Sequence, residues 1–429
     1  SSRMAGSDNQ TGRPKIEDGV RENKMKVLQI NTVCGRGSTG RIATDLLKCL
    51  KEKGYFGKIA YGIGPMLNAE STETIEIDTK LEYYVHNLFS RFTDKEGCYS
   101  IYATKRLIGQ IEEYKPDIIH LHNIHGHYIN YKILFNYLKK VKMPVVWTFH
   151  DCWSFTGHCS HFAMVKCEQW KNHCSYCSQL RCYPACYTKG NVKSNFTHKM
   201  QSFTGLDNLV IVTPSKWLAG LVKESFLKEY PVRVINNGID LTKFQPKIGD
   251  QFRNKYNLKG KTVILGVASE WSERKGYSDF IKLSSEISEN QKIVMVGVSD
   301  KQVEELPNSI IAIKKTNSVE ELAEIYSAAD VFLNFTYEDN FPTVNLEAMA
   351  CGTPVITYKT GGSVEPITEE TGFIIDQGDY MAALNLIGQA RMLDRHIVAS
   401  SAMQYSSKDK FNDYISLYKE LLKGKERKA

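Results

Sequence analysis

The chain has 429 residues, 42% apolar and 24% charged, a globular composition that excludes a disordered polymer or a fibre and gives room for two or three domains. Its formal charge is +7, unevenly spread: Met25 to Ile235 carries 27 Lys and Arg against 17 Asp and Glu, while Asn236 to the end carries 23 against 27. No apolar run approaches the roughly 18 residues that span a bilayer, and no nucleic-acid motif is visible.

Residues 1 to 24 are polar, lack the apolar core of a signal peptide, and read as a flexible leader or an expression remnant ahead of Met25. A cytoplasmic protein is the expectation. "KVLQI" opens the folded part as a strand, followed by a glycine loop and the helix "RIATDLLKCLKEKG", ended by Gly54. "KIAYGI", "DIIHLHNI", "PVVWTFHD" and "LVIVTPS" are further strands, each followed by polar or helical sequence. The pattern restarts with "TVILGVAS", "KIVMVGV", "IIAIKK", "VFLNF" and "PVITY". Short apolar strands alternating with helices predict parallel sheets, so two Rossmann-like α/β domains facing a cleft are expected, joined near Leu241 to Asp250. The spans are residues 25–244, 245–409 and a last helix within 410–429.

Several clusters carry chemistry. Gly35, Gly37 and Gly40 lie between a strand and a helix, where backbone amides and the helix dipole favour a phosphate. Their spacing is not the dinucleotide fingerprint. His120, His122, His125 and His127 crowd one strand end and His150-Asp151 ends the next; acceptor contacts, structure and metal binding are all open to the first group. Seven of the eleven cysteines fall between Cys152 and Cys186. In a reducing compartment such clustering points to metal before disulfides. Cys159, Cys167, Cys174 and Cys177 are the expected ligands of a structural zinc, with Cys152, Cys182, Cys186, His158, His161 and His173 as competitors. Arg274 and Lys275 follow a strand, where two cations would neutralise charge growing on a departing diphosphate.

The richest segment runs from Val331 to Ile367: strand, acidic loop, helix, strand and Gly361-Gly362. In open α/β sheets ligands bind where such strands end. Asp339 in the loop and Glu347 on the helix would face one crevice and hydrogen-bond a polyol, beside helix N-terminal amides suited to an anion. That combination suits a nucleotide sugar.

"EAMACGTPVI", preceded by Asp339 eight positions before Glu347, resembles the acidic donor motif of glycosyltransferase family 4, the retaining GT-B enzymes. "TPSKWL", "VINNGIDLTKFQP" and "GVASEWSERKGYSDFI" resemble further segments of that family, in the same order. Two positions depart from its pattern: Asp339 stands for the usual Glu, and Glu270 stands where an Arg is common. The resemblance implies a GT-B fold, no catalytic metal, and a last helix that packs back on the first domain. It also implies donor contacts from Gly37, Asp339, Asn340, Phe341, Pro342, Thr343 and Glu347, with Lys275 and Arg274 on the diphosphate. His150 would position the donor sugar without serving as an obligatory base. Some bacterial members resemble the chain in the cysteine-rich stretch as well. The expected activity is retaining transfer of a sugar, most commonly from a UDP conjugate, to a glycan acceptor, plausibly lipid-linked, in bacterial surface-polysaccharide synthesis. The basic first domain would meet that acceptor and the inner face of the cytoplasmic membrane. A sugar-nucleotide epimerase and a catalytically degenerate assembly scaffold are the alternatives.

Overall fold

A computed structural model describes residues 24–426. The expected leader therefore lies outside the described residues, except for Lys24. The first sheet contains β1 (Lys26–Asn31), β2 (Phe56–Tyr61), β3 (Thr74–Glu76), β4 (Ile118–Leu121), β5 (Val145–Thr148), β6 (Leu209–Thr213) and β7 (Val232–Val234). The second contains β8 (Thr262–Val267), β9 (Gln291–Val296), β10 (Ile310–Ile313), β11 (Val331–Asn334), β12 (Val355–Tyr358) and β13 (Gly372–Ile375). Their orders are β3-β2-β1-β4-β5-β6-β7 and β10-β9-β8-β11-β12-β13. Every named pairing is parallel.

The ten strands expected from apolar runs are all present. β3, β7 and β13 were missed because they are three or four residues long and lie at or next to a sheet edge. An edge strand is covered on fewer sides and needs no continuous apolar run. The central strands do need one: all five residues of "LVIVT" in β6 are buried.

Both sheets reverse direction at one point, between β1 and β4 and between β8 and β11. Loops leaving adjacent strands diverge there and open a crevice. Ile239 and Phe244 already pack in the core of the second sheet, with Leu265, Phe332 and Leu346. The last helix, Ser407–Glu426, lies on the first sheet instead. It buries Phe411, Tyr414, Ile415, Leu417 and Tyr418 against Val27, Leu50, Ile118, Val146 and Val212. Each such side chain contributes about 1.5–3 kcal/mol on burial. The exposed Arg233–Glu420 pair at 2.9 Å adds little beside that. Two polar anchors fix the register: Tyr418 Oη lies 2.6 Å from His120 Nδ1, and Tyr414 Oη lies 3.1 Å from Thr148 Oγ1.

Candidate active site

The second-domain wall of the crevice is built on β11 and the helix Thr343–Ala350. After Asn334 the chain turns through Thr336, whose hydroxyl donates to the Glu338 carbonyl at 3.0 Å. Asp339 Oδ1 accepts the Phe341 amide at 3.2 Å, and its other oxygen takes the Lys275 ammonium at 2.6 Å. Arg274 donates to the Glu338 carbonyl at 3.2 Å. The two cations therefore brace one acidic loop by different means, Lys275 through a carboxylate and Arg274 through the backbone. Gly276 has φ +75°, and a Cβ there would come within 2.4 Å of Phe335, so only glycine lets this loop close on β11. Gly361 plays the matching part from β12: its Cβ would fall 2.1 Å from the Asp339 carbonyl.

Glu347 lies in the second turn of its helix. It accepts a hydrogen bond from Tyr326 Oη at 3.0 Å. Burial raises its pKa, opposed by Tyr326, Thr343 and the charge of Arg41. Arg41 belongs to the first helix, Gly37–Glu52, so a cation of the first domain acts on Glu347 across the crevice. Sequence reasoning missed it, since nothing local marks Arg41. Gly37 starts that helix with φ +61° and nothing within 4 Å of a Cβ, whereas a Cβ on Gly35 would strike the Leu67 carbonyl at 2.0 Å. Gly35 is thus required by packing, and Gly37 faces open space.

The first-domain wall is a side-chain network. Gln29 donates its amide to the Ala43 carbonyl at 2.9 Å, which orients Oε1 towards His122 Nε2 at 3.0 Å. His122 Nδ1 lies 3.1 Å from His150 Nε2, with the rings stacked at 5.3 Å. Burial lowers His122 well below its ordinary value and His150 to about 4, so both are neutral at pH 7. The Gln29 acceptor puts the proton of His122 on Nε2. His150 must then donate through Nε2, leaving Nδ1 bare. Beside it, His125 spans Asp151 Oδ2 at 2.9 Å and Tyr183 Oη at 2.9 Å. Burial alone would raise Asp151, but His125, His161 and the Trp153 amide outweigh it and hold the carboxyl at about 2. His127 has φ +67°, a strained conformation for a non-glycine.

The walls touch. Asn340 donates to the His150 carbonyl at 2.6 Å, Asn237 to the Phe341 carbonyl at 3.2 Å, and Glu365 accepts the Lys216 and Trp217 amides at 3.0 and 2.8 Å. From the cysteine-rich segment the Met164 amide donates to Glu338 Oε1 at 2.6 Å. The cavity left among Cys152, His161, Trp217, Glu338 and Asn340 is nearly closed, at about 10 Å³. A larger open groove lies on the outer side of the insertion, between Tyr176, Lys193 and His198, and shares no residue with the cleft.

All eleven cysteines are free thiols. Cys159 and Cys177 lie close enough to act on each other electrostatically, as do Cys167 and Cys177 on Cys174. Among the described residues, however, the group that brings three potential ligand atoms within 4.8 Å of one another is His86, Glu96 and His127. There Glu96 pairs with His127, and His86 Nε2 already accepts the Gly97 amide at 3.2 Å. That cluster is a buried brace for the loop after β4.

Residues 39–243 match the family profile described as Glycosyltransferase Family 4, and residues 249–394 match Glycosyl transferases group 1. WcaC of Escherichia coli K12, a glycosyl transferase provisionally assigned to colanic acid biosynthesis, is 24% identical over 92% of this chain and 100% of its own length. The N,N'-diacetylbacillosaminyl-diphospho-undecaprenol α-1,3-N-acetylgalactosaminyltransferase of Campylobacter jejuni is 25% identical over 52% of this chain and 62% of its own. Among solved structures, sucrose-phosphate synthase of Thermosynechococcus elongatus superposes with a TM-score of 0.68 at 17% identity, covering 94% of this chain and 100% of that one. HepE of Anabaena in complex with UDP gives 0.63 at 15% identity, covering 91% and 98%. Two switch-point crevices facing each other, with profiles matched in both halves, make this chain a GT-B glycosyltransferase belonging to family 4.

Proposed function

We propose that the enzyme transfers a sugar, with retention of configuration, from a UDP-sugar to a lipid-linked glycan acceptor in surface-polysaccharide synthesis. The carrying observation is the joining of Lys275, Asp339 and the Glu347 helix at one crevice, under the first-domain wall of His150. In this reading Glu347 holds the ribose, and Asp339 to Thr343 (with Asn340, Phe341 and Pro342 between) meets the sugar hydroxyls. Lys275 neutralises the leaving diphosphate, aided by the amides near Gly37, and Arg274 holds the loop beneath it. When the diphosphate arrives, Lys275 exchanges its Asp339 partner for phosphate oxygens, and Asp339 is freed for a sugar hydroxyl. His150 positions the sugar. The acceptor hydroxyl attacks the anomeric carbon as the sugar–oxygen bond breaks, and its proton leaves with the diphosphate.

Pockets for ligands of this size usually hold about 300–1,000 Å³, far more than the 10 Å³ left between the walls at His161, Glu338 and Asn340. The residues 25–244 and 245–409 would therefore part to admit donor and close to exclude water. UDP as the base is supported by the fold likeness to the UDP-bound HepE, and the lipid-linked acceptor by the name of the Campylobacter relative. No helix among the described residues is long and apolar enough to cross a membrane, so contact with a lipid-borne acceptor would be peripheral. Cys159, Cys167, Cys174 and Cys177 would offer a four-thiolate donor set for a structural zinc, on the ground of their clustering in one insertion; their sulfurs would have to draw together on binding, since no three of them lie within 4.8 Å of one another. Zinc there would staple the insertion and supply no chemistry to the transfer. A thermal-shift series with UDP, GDP and ADP and their sugars tests the donor: a ligand at a hundredfold excess over its Kd stabilises by about 2.7 kcal/mol. A shift with GDP or ADP conjugates alone overturns UDP, and no shift with any favours the degenerate scaffold.

A further inference from the structure

The helix Lys80–Thr93 is amphipathic the wrong way round. Its buried residues are His86 and Ser90. Its exposed ones are Leu81 (73% accessible), Tyr84 (66%), Val85 (42%), Leu88 (56%), Phe89 (50%) and Phe92 (55%). These six recur at intervals of three and four, a continuous apolar stripe of the kind a surface helix ordinarily turns inward. Tyr102, 73% accessible at the start of the next helix, extends the patch, and Tyr99 links the two through its contact with Phe89 at 5.6 Å. No described residue covers it.

We infer that this stripe is the surface by which the enzyme lies on an anionic lipid bilayer. The charges around it fit that occupant. Between residues 80 and 106 the cations are Lys80, Arg91, Lys95, Lys105 and Arg106. The acids are Glu82, paired with Arg106 at 2.6 Å, and the buried Asp94 and Glu96, committed to His158 and His127. An apolar face ringed by lysine and arginine and carrying tyrosines with polar tips is the composition of an interfacial helix. An interface between protein copies is instead depleted in lysine. The placement also serves the acceptor. The inner side of this helix sets His86 against His127 at 5.7 Å, and His127 closes the loop that carries His125 to Asp151 on the cleft wall. A lipid-borne glycan would thus meet the cleft from the surface on which the helix rests. The inference relies on the proposed lipid-linked acceptor for its purpose, and on the stripe alone for its physics.

The test is flotation of the full chain with vesicles of phosphatidylcholine and phosphatidylglycerol in equal parts, or of phosphatidylcholine alone, without donor or acceptor. The protein should float with the anionic vesicles at low salt. L88E/F89E/F92E should lose binding at least about tenfold, since three apolar side chains no longer enter the interface. K80A/K95A/K105A should lose about a hundredfold on anionic vesicles, at about 1 kcal/mol per cation, and little on neutral ones. Phe89→Trp, which needs no charge in the stripe, should shift its emission to the blue on vesicle addition. A parent chain that stays with the aqueous fraction overturns the inference, as does equal flotation of the triple glutamate variant. A parent dimer that this variant dissolves assigns the face to a second copy instead. Glu347→Ala, which challenges the donor site, should float like the parent, so the two readings fail separately.

Discussion

The two walls of the cleft are made differently. The second-domain wall, the proposed donor wall, is a continuous stretch of chain in which a loop, one helix and the Gly361 turn are shaped by backbone bonds, with Lys275 and Arg274 bracing it from the neighbouring loop. The opposite wall is a relay of side chains, Gln29 to His122 to His150 and Tyr183 to His125 to Asp151, gathered from residues up to 154 positions apart. A contiguous wall can be moved as a unit and carries a short sequence motif. A gathered wall depends on the core beneath it, and a fault in any member leaves buried polar atoms unpaired.

If the donor wall carries the chemistry, the largest loss should come from Glu347. Glu347→Gln should reduce turnover by about 10³-fold or more, several kcal/mol of transition-state binding, with melting unchanged because Tyr326 keeps an acceptor. Glu347→Ala should lose as much turnover, and it strands the Tyr326 hydroxyl at a further cost of about 1–3 kcal/mol of stability. Full activity in either variant removes the donor assignment. Next, Lys275→Ala should lower kcat by about 10²–10³, since it removes a charge set against the leaving diphosphate. Arg274→Ala, which loses a contact to a carbonyl, should cost tenfold or less; the reverse order would exchange their roles.

The gathered wall should betray itself in stability. In that wall His150 is buried, as are His120 behind His122 and His86 behind His127 outside it, which lowers them to about 4, 3 and 4. Between pH 6.5 and those values the unfolded chain binds protons that the folded chain refuses, so stability falls as pH drops from 7 towards 4. Each group contributes on the order of 3 kcal/mol across that interval, and a Tm constant from pH 7 to 5 contradicts the assignment. Smallest in its effect on turnover is the insertion. Elemental analysis should find one zinc per chain, and C174S/C177S should lower the Tm without changing the saturated rate. A metal-free protein of equal stability disposes of the zinc.

The contrast also explains what the sequence disclosed. "EAMACGTPVI" and its neighbours announced the donor wall because its parts are adjacent in the chain and obey local rules: a strand, a glycine turn and a helix start. Nine of the ten legible strands are central and carry apolar runs, and the edge strand β10 is legible because IIAI is itself such a run; β3, β7 and β13 are short edge strands. The charge of Arg41 felt at Glu347 and the Met164 amide on Glu338 couple residues 306 and 174 positions apart, and no periodicity encodes such distances. His120 illustrates the limit well. In sequence it was one of four candidate ligands, yet both its nitrogens are spent on Tyr418 and Thr148, holding the last helix to the sheet. The stripe of Lys80–Thr93 was readable as a pattern, but its inversion required knowing which side was covered.

The carbonyl of Ala43 has a reach that its position in the first helix does not advertise. By fixing the amide of Gln29 it dictates, two imidazoles later, that the nitrogen His150 leaves free, Nδ1, carries a lone pair and not an N–H. An oxygen arriving at that nitrogen must bring its own hydrogen. Sugar hydroxyls qualify, whereas a carboxylate or a phosphate oxygen is turned away. If His150 meets the sugar as proposed, a backbone atom in the core sorts ligand oxygens by whether they can donate.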